Sequence, residues 1–438
     1  MLLSHRFQGR DLQLCPGYQK NPKNQFTAIV GKNGSGKSRL LSELIRKTLT
    51  ASSGLRKPDG ALIDIIALST SPFDKFLLPD SKEFLHGYHY LGLRGLYSSN
   101  LSLSFMTRII GGLLKALHDT PERLKTILNT LSYLDYHEKL EVRLSTSARI
   151  ADFKDPDMLI AQFLESGSWV KGQKSRPQSY YKHKVKEELH HSEGIDQLYK
   201  SIGYFSKRIS AKQFSLFISA EGILDADGHM IDAGKISALL EYDLVKLKDL
   251  SLHKKGVDKP YRVNDASSGE QCVLMAVLGI ASRISNGAFI CIDEPEICLH
   301  PEWQERYIKH LMEAFDDFEE CQFVIATHSP QVISRLGDDN CYVLDLQTGK
   351  TYASTEFNKR SADYQLAKLF KAPGFSNEYL LKEVVGILSI MSAGKELDNH
   401  KLNALKSLLS LKQQLSMGDP LLDLISLVEE GMETLRHG

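Results

Sequence analysis

The sequence has no excess of charge of either sign, because 54 lysines and arginines balance 54 aspartates and glutamates. No long-range field therefore draws the whole molecule to nucleic acid or to an acidic membrane, and any such contact has to come from a local patch. No apolar run approaches the roughly 20 residues that a membrane-spanning helix needs. The first residues, MLLSHRFQGRDLQL, carry charges too early for a secretory signal peptide.

Cysteine is also scarce. The six cysteines include no C-x-x-C pair, and several lie within apolar runs such as FICIDEPEICLH, which predicts small buried thiols. Internal repeats and sustained heptads are missing as well. Together these absences predict a cytoplasmic protein in a reducing compartment, and 438 residues are enough for roughly two or three domains.

Short apolar runs bounded by turn residues recur along the chain and alternate with helical patterns. These runs are Phe26–Val30, Ala61–Leu68, Phe214–Ser219, Ala288–Asp293, Gln322–Thr327 and Cys341–Leu346. The alternation predicts an α/β fold with a mainly parallel sheet covered on both faces. Between about residues 80 and 255 the pattern changes to helices with polar connections, and beyond residue 361 it is helical and rich in leucine.

The segment GKNGSGKS, Gly31–Ser38, fits the phosphate-binding pattern G-x-x-x-x-G-K-[ST] between a predicted strand and a predicted helix. Glycines let backbone N–H groups turn towards phosphates, Lys37 supplies a positive charge, and Ser38 offers a hydroxyl to Mg²⁺. The alternative is a plain glycine turn, which the flanking strand and helix disfavour. The predicted nucleotide contacts in this segment are Gly31, Asn33, Gly34, Ser35, Gly36, Lys37, Ser38 and Arg39.

Two later segments place polar side chains directly after predicted buried strands. In FICIDEPE, Asp293 would hold Mg²⁺, and Glu294 would accept a proton from the water that attacks the γ-phosphate. In VIATHSP, His328 can donate a hydrogen bond to the same phosphate. Most Asp-Glu pairs are solvated turns and most lone histidines are structural. The positions of Glu294 and His328 after buried strands nevertheless favour catalytic roles for these two residues. Lys37, in the glycine-rich loop, is the third predicted catalytic residue.

The stretch ASSGEQCVLM places Ser267, Ser268 and Gly269 at the head of an apolar helix. These residues are either an ordinary helix cap or hydrogen-bond donors held for a group outside this chain. Because the Gly31–Ser38 loop already supplies donors for this chain's own phosphates, we expect the donors to meet the γ-phosphate of a second copy.

The order of these motifs resembles that of the ABC-type ATPase heads of the RecF, SMC and OLD families. GKNGSGKS is similar to their Walker A motif, ASSGEQ to the signature motif, FICIDEPE to Walker B, and His328 to the switch histidine. The resemblance covers about residues 1–75 and 260–347. LHPEWQ, after Walker B, points to the OLD-like branch. IIALSTSPFDKF is similar to a segment of the PtuA ATPases of Septu and retron antiphage systems, with PARIS-type ATPases as rivals.

Two features depart from these families. Ser268 stands where the signature motif usually has its first glycine. The segment Ser69–Asp74 lacks the glutamine of the Q-loop, so Ser71 and Asp74 are the candidates for a water-mediated magnesium contact. The region after CYVLDLQTG carries no acidic or His-Asn-His nuclease signature, which predicts that any nuclease is a separate protein.

The resemblance implies an ABC-ATPase head interrupted by a large helical lobe between Walker A and the signature motif. The expected parts are the first part of the head (1–78), the inserted helical lobe (79–255), the second part of the head (256–350) and a C-terminal helical region (351–438). The insertion is too short for the coiled-coil arms of SMC proteins.

The resemblance also implies an ATPase that uses ATP and Mg²⁺ and pairs head-to-tail as a homodimer or within a higher oligomer. Its partner would be an HNH nuclease of the PtuB kind in antiphage defence. One alternative is a RecF-like DNA-binding repair ATPase, for which Lys171–Lys186 offers basic residues beside tyrosines. Another is a PARIS-type ATPase with a Toprim effector. A transporter subunit is disfavoured by the LHPEWQ run and by the large insertion.

Overall fold

The computed structural model describes most of the chain, namely residues 2–16, 23–51, 63–78, 87–94, 101–166, 168–169, 192–209, 211–257 and 259–437. The basic segment 171–186 lies outside these residues. The chain divides into two compact units. The first unit comprises Met1–Leu2, Gln19–Gln25 and Ser38–Ile325, and the second comprises Leu3–Tyr18, Phe26–Lys37 and Ala326–Gly438.

The strands are, in chain order, β1 (Ser4–Phe7), β2 (Arg10–Gln13), β3 (Gln25–Val30), β4 (Ile65–Ser69), β5 (Tyr88–Gly92), β6 (Tyr136–Thr146), β7 (Gln213–Ser219), β8 (Gly222–Leu224), β9 (Val245–Lys254), β10 (Tyr261–Arg262), β11 (Phe289–Asp293), β12 (Gln322–Ala326), β13 (Cys341–Asp345) and β14 (Lys350–Ala353).

The α-helices are α1 (Lys37–Ala51), α2 (Leu101–Asp119), α3 (Arg123–Tyr133), α4 (Pro156–Ser166), α5 (Ser192–Arg208), α6 (Ala233–Glu241), α7 (Ser268–Ala281), α8 (Pro301–Ala314), α9 (Pro330–Ser334), α10 (Ala362–Lys368), α11 (Glu378–Ser392), α12 (Asn399–Leu411) and α13 (Pro420–His437).

A parallel sheet lies in the first unit, where β12, β11, β4 and β5 follow one another in that order. Both β11 and β5 pair with β4 in parallel, and Asp293 at the end of β11 is opposite Ser69 at the end of β4. Every residue of β4, β11 and β12 is buried. Continuous apolar strands of this kind belong to parallel sheets that are covered on both faces.

The first unit also contains a second, antiparallel sheet with the strand order β10–β9–β6–β7–β8. The sequence predicts a helical lobe over residues 79–255 with a strand at Phe214–Ser219, and α2 to α6 and β7 lie in this region. The other strands of this sheet are not predicted from the sequence. The long strand β6 pairs with β9, about a hundred residues later in the chain. Polar residues form the exposed face of β6, and in the sequence alone they look like a polar loop between helices.

The second unit carries the strand order β14–β13–β3, in which β3 and β13 are parallel and β14 is antiparallel to β13. The hairpin β1–β2 belongs to the same unit. Helices α10 to α13 share an apolar core whose most buried members are Ala367, Val384, Ile387, Leu408, Leu421, Ile425 and Val428. The leucine-rich C-terminal region is therefore helical, as predicted.

The structure confirms the α/β class with parallel strand pairing and a helical C-terminal region. The domain boundaries at residues 78, 255 and 350 remain predictions. Among the described helices, none is both long enough and apolar enough to cross a membrane.

Candidate nucleotide-binding site

The glycine-rich loop lies in the second unit, directly after the fully buried strand β3. Gly34 and Gly36 adopt left-handed φ angles of 78° and 98°, which glycine adopts without strain. A Cβ atom at Gly36 would lie 3.2 Å from the ring of Phe7, and one at Gly31 would lie 2.8 Å from the Oγ of Ser35. The sequence thus needs glycine at these positions to turn the loop this tightly.

Lys37 ends this loop, and its side chain is buried, with 4% exposure. Its Nζ donates a hydrogen bond of 3.2 Å to the carbonyl oxygen of Gly31 and contacts Nε2 of His328. The structure therefore brings together two of the three residues for which the sequence predicts a catalytic role.

His328 follows β12 on a turn that is fixed by neighbouring hydrogen bonds. The backbone N–H of Thr327 donates to the carbonyl oxygen of Ile29 over 3.0 Å, and Ser329 caps the short helix α9 by accepting from Val332. His328 itself is half-buried. The imidazole is thereby held beside the loop that follows β3.

Ser38 and Asp293 meet within the first unit. The hydroxyl of Ser38 donates to Oδ1 of Asp293 over 3.0 Å, and Asp293 is only 2% exposed. A hydroxyl and a carboxylate are the hard oxygen ligands that Mg²⁺ prefers. Arg39, by contrast, is turned along helix α1, where its guanidinium lies 3.2 Å from the carboxylate of Glu43.

Glu294 adopts the left-handed conformation, with φ 48° and ψ 58°, at the start of a 3₁₀ turn over Pro295–Cys298. Thr70, directly after β4, donates to the carbonyl oxygen of Glu294 over 3.4 Å. A non-glycine residue in this region carries strain of about 1–3 kcal/mol, and strain of this kind clusters at functional sites. The half-buried side chain of Glu294 follows the end of β11, next in sequence to Asp293.

The loop has unused capacity for hydrogen bonding. The Oγ of Ser35 is buried and has no hydrogen-bond partner among the described residues. A buried hydroxyl without a partner costs free energy, which a bound acceptor such as a phosphate oxygen would recover. Within the second unit, this orphan hydroxyl and the tight glycine turn fit a phosphate group. Within the first unit, the Ser38–Asp293 oxygen pair fits Mg²⁺.

The signature-like stretch forms a capping box at the N-terminus of α7. The Oγ of Ser267 accepts from the backbone N–H of Glu270 over 3.2 Å, and the Glu270 carboxylate accepts from the N–H and the hydroxyl of Ser267. Ser267 is therefore occupied within its own chain, and a contact between Ser267 and the γ-phosphate of a second copy remains a prediction. Ser268 is exposed, and the backbone of Gly269 lies beneath Trp303.

Sequence reasoning missed the side chains that hold this cap. Lys254 lies 3.4 Å from the Glu270 carboxylate, and the hydroxyl of Tyr261 donates to it over 3.0 Å. Partial burial alone would raise the pKa of Glu270, but the hydrogen bonds from Ser267 and Tyr261 outweigh that effect and lower it. The spacing Ser-x-x-Glu at 267–270 is the signal that predicts such a capping box.

The segment without a Q-loop glutamine is held by a buried network. Asp74 accepts from the hydroxyl of Tyr90 over 2.7 Å and from the N–H of Phe76 over 3.0 Å, and its carboxylate lies 3.6 Å from the guanidinium of Arg94. Ser71 accepts from the N–H of Phe73. Asp74 therefore has a structural role in this network, and a water-mediated magnesium contact from Ser71 or Asp74 remains a prediction.

Residues 121–334, just under half of the chain, match the family model described as AAA domain, putative AbiEii toxin, Type IV TA system. The probable ATPase of retron Ec83 from Escherichia coli is 29% identical over 131 residues, which cover 26% of this chain and 23% of that protein. The probable ATPase of retron Vc95 from Vibrio cholerae serotype O1 biovar El Tor is 24% identical over 182 residues, which cover 38% of this chain and 33% of that protein.

The chain thus spans between about a quarter and a third of the curated relatives that it matches. Among solved structures, the Smc head domain from Pyrococcus furiosus bound to the C-terminal domain of ScpA has 14% identity and a TM-score of 0.27. That alignment covers 76% of this chain and 91% of the other. The family match and the retron relatives agree with the ATPase that the order of the motifs predicts.

Proposed function

We propose that this ABC-type ATPase of the RecF/SMC-like branch binds ATP with Mg²⁺, hydrolyses it and uses the cycle to regulate a separate effector. The observation that carries the proposal is the hydrogen bond between the Ser38 hydroxyl and the buried Asp293 carboxylate. In these positions the two oxygens would hold Mg²⁺, which neutralises charge on the β- and γ-phosphates during phosphoryl transfer.

Each remaining motif residue has a separate task in this proposal. Lys37 would exchange its contacts with Gly31 and His328 for phosphate oxygens and keep its positive charge in the loop. Glu294 would take the proton of the attacking water. His328, released from Lys37, would hydrogen-bond the γ-phosphate and so distinguish ATP from ADP.

Two copies would close on ATP head-to-tail. Ser267 is occupied by the cap, so the donors offered to the second copy are the Ser268 hydroxyl and the backbone N–H groups of Ser268 and Gly269. The first N–H groups of a helix have no partner within the helix and face an anion favourably. The exposure of Ser267 and Ser268 supports access from a neighbouring copy.

The biological setting would be antiphage defence, and the similarity to two retron ATPases supports this part of the proposal. The effector would be an HNH nuclease of the PtuB kind, as in Septu and retron systems with PtuA, and a Toprim effector of the PARIS kind is the alternative. Co-purification with the product of the adjacent reading frame distinguishes them: an HNH protein supports the first assignment, and a Toprim protein supports the second.

The RecF-like alternative, a DNA-binding repair ATPase, makes a different prediction. It requires ATP-dependent duplex binding with a steep dependence on salt concentration. Its basic segment 171–186 lies outside the described residues. Gel-shift titrations at two salt concentrations, with Lys182 and Lys184 neutralised, test this alternative directly.

The central test is Glu294→Gln, with Glu302→Gln on the exposed start of α8 as the matched control. Removal of a general base lowers turnover by about a hundredfold or more. We expect phosphate release to fall by that factor while ATP binding persists and the ATP-bound dimer lives longer in light-scattering chromatography. Unchanged phosphate release in Glu294→Gln would refute the assigned role of Glu294.

A further inference from the structure

A cavity lies entirely within the first unit, and none of its lining residues belongs to the Walker A, signature or Walker B segments. It has a volume of about 260 Å³. Its walls come from strand β5, helices α2 and α6, and the residue Arg283 that follows α7. The lining residues that matter here are Tyr90, Arg108, Gly112, Lys115, Glu241 and Arg283.

Three cations face this cavity without a paired carboxylate. Among the described residues, no carboxylate oxygen lies within salt-bridge distance of Arg108, Lys115 or Arg283. Arg108 donates to the carbonyl oxygen of Gly92 over 3.4 Å, and its guanidinium lies 5.8 Å from the centre of the Tyr90 ring. These contacts orient the guanidinium but leave its charge uncompensated.

Arg283 is the most constrained of the three cations. A Cβ atom at Gly112 would lie 2.8 Å from its guanidinium, so the absence of a side chain at Gly112 makes room for the arginine. Burial lowers the pKa of Arg283, and the carboxylates of Glu241, Asp119 and Asp64 oppose that effect only in part. A guanidinium that has lost much of its water and contacts no carboxylate directly is costly, and a bound anion would relieve the cost.

The charges at the cavity define the ligand. Three cations and the carboxylate of Glu241 line the cavity. Asp64, Asp119 and Arg123 also act on Arg283, so these seven groups together carry one net positive charge. His89, which also lines the cavity, has its pKa lowered by burial and is therefore neutral at pH 7. A phosphomonoester carries a charge of about −1.5 to −2 at that pH and presents oxygens that guanidinium groups bind in pairs.

We propose that this cavity is a binding site for a small phosphomonoester, distinct from the nucleotide site and held by Arg108, Lys115 and Arg283. Its volume is slightly below the usual range of about 300–1,000 Å³ for ligand pockets, which favours a compact molecule such as a sugar phosphate. The phosphate would lie between the two guanidinium groups, and Gly112 would allow close approach to the backbone of α2.

The experiment uses the full chain with Lys37→Ala, so that phosphate cannot report on the glycine-rich loop. Ribose 5-phosphate is titrated by calorimetry, with ribose and with sodium chloride at matched ionic strength as blanks. We expect binding of ribose 5-phosphate alone. Adding Arg283→Met should weaken binding by about tenfold or more, since a charged hydrogen bond contributes about 1.5–3 kcal/mol. Lys309→Met, on the exposed side of α8, is the matched control.

Two results would overturn the proposal: no binding of ribose 5-phosphate in the Lys37→Ala protein, or equal weakening by Arg283→Met and Lys309→Met. Arg108→Gln, at a half-exposed position, provides a second loss of charge with the same expected weakening if Arg283→Met does not fold.

Discussion

Removal of the Ser267 hydroxyl should loosen the first turn of α7 without touching the apolar core. In Ser267→Ala, the N–H of Glu270 loses its acceptor at 3.2 Å, and the Glu270 carboxylate loses the hydroxyl donor at 3.1 Å. Tyr261 and the backbone N–H of Ser267 still donate to that carboxylate. The perturbation is therefore confined to one half of the capping box.

The magnitude follows from this geometry. Loss of an N-cap serine costs about 0.5–2 kcal/mol, typically about 1. We expect a value near the upper end, because the same hydroxyl also donates to the Glu270 carboxylate, which remains half-buried. A change of one to two kcal/mol corresponds to a factor of roughly 5–30 in the local opening equilibrium.

The suitable assay is hydrogen exchange measured by mass spectrometry on peptides spanning residues 263–275, because it reports local opening of the helix end. Global unfolding is less informative, because a chain of this size does not unfold in a two-state transition. Protection should fall by that factor in Ser267→Ala and stay unchanged in Ser268→Ala, whose side chain accepts no cap bond. Equal loss of protection in the two variants would refute the division of roles between these serines. ATP-dependent dimerisation should show the reverse order, with a larger loss in Ser268→Ala than in Ser267→Ala.

Two further predictions concern residues near the site. The pKa of Cys298 is lowered to about 6 by a hydrogen bond from Cys272, so iodoacetamide at pH 7 should label Cys298 before any buried cysteine, as tested by mass spectrometry with Cys298→Ser as control. Asp74→Ala should lower the midpoint of urea denaturation, because it leaves the guanidinium of Arg94 without its buried partner. The control is Asp317→Ala, at an exposed position. Equal shifts of the urea midpoint in Asp74→Ala and Asp317→Ala would contradict the structural role of Asp74.

The parts of the fold that the sequence predicts well are those specified by adjacent residues. The strand predicted at Phe26–Val30 is observed as Gln25–Val30, and the helix predicted from Lys37 begins at Lys37. The reason is local: an apolar strand, a glycine turn and a helix with 3.6-residue periodicity follow each other without interruption. The same holds for Phe289–Asp293, where a buried strand ends in the acidic pair.

The parts that the sequence does not predict depend on partners far along the chain. Strand β6 pairs with β9 and β7, and no local pattern in the β6 sequence YHEKLEVRLST predicts which strands it pairs with. The role of Asp74 depends on Tyr90 and Arg94, which reach it from β5 and the turn after it. Only the Ser267–Glu270 cap had a local signal, namely the Ser-x-x-Glu spacing.

The backbone at Glu294 determines which substitution tests catalysis cleanly. Its left-handed conformation is strained, and it is held there by the buried Pro295 that follows and by the hydrogen bond from Thr70. Glutamine has the same side-chain branching as glutamate and therefore bears the same strain, so Glu294→Gln changes only the charge and the capacity to accept a proton. Glycine at this position would relieve the strain and remove the carboxylate together. A loss of turnover in Glu294→Gly would therefore not distinguish chemistry from backbone freedom, whereas a loss in Glu294→Gln would.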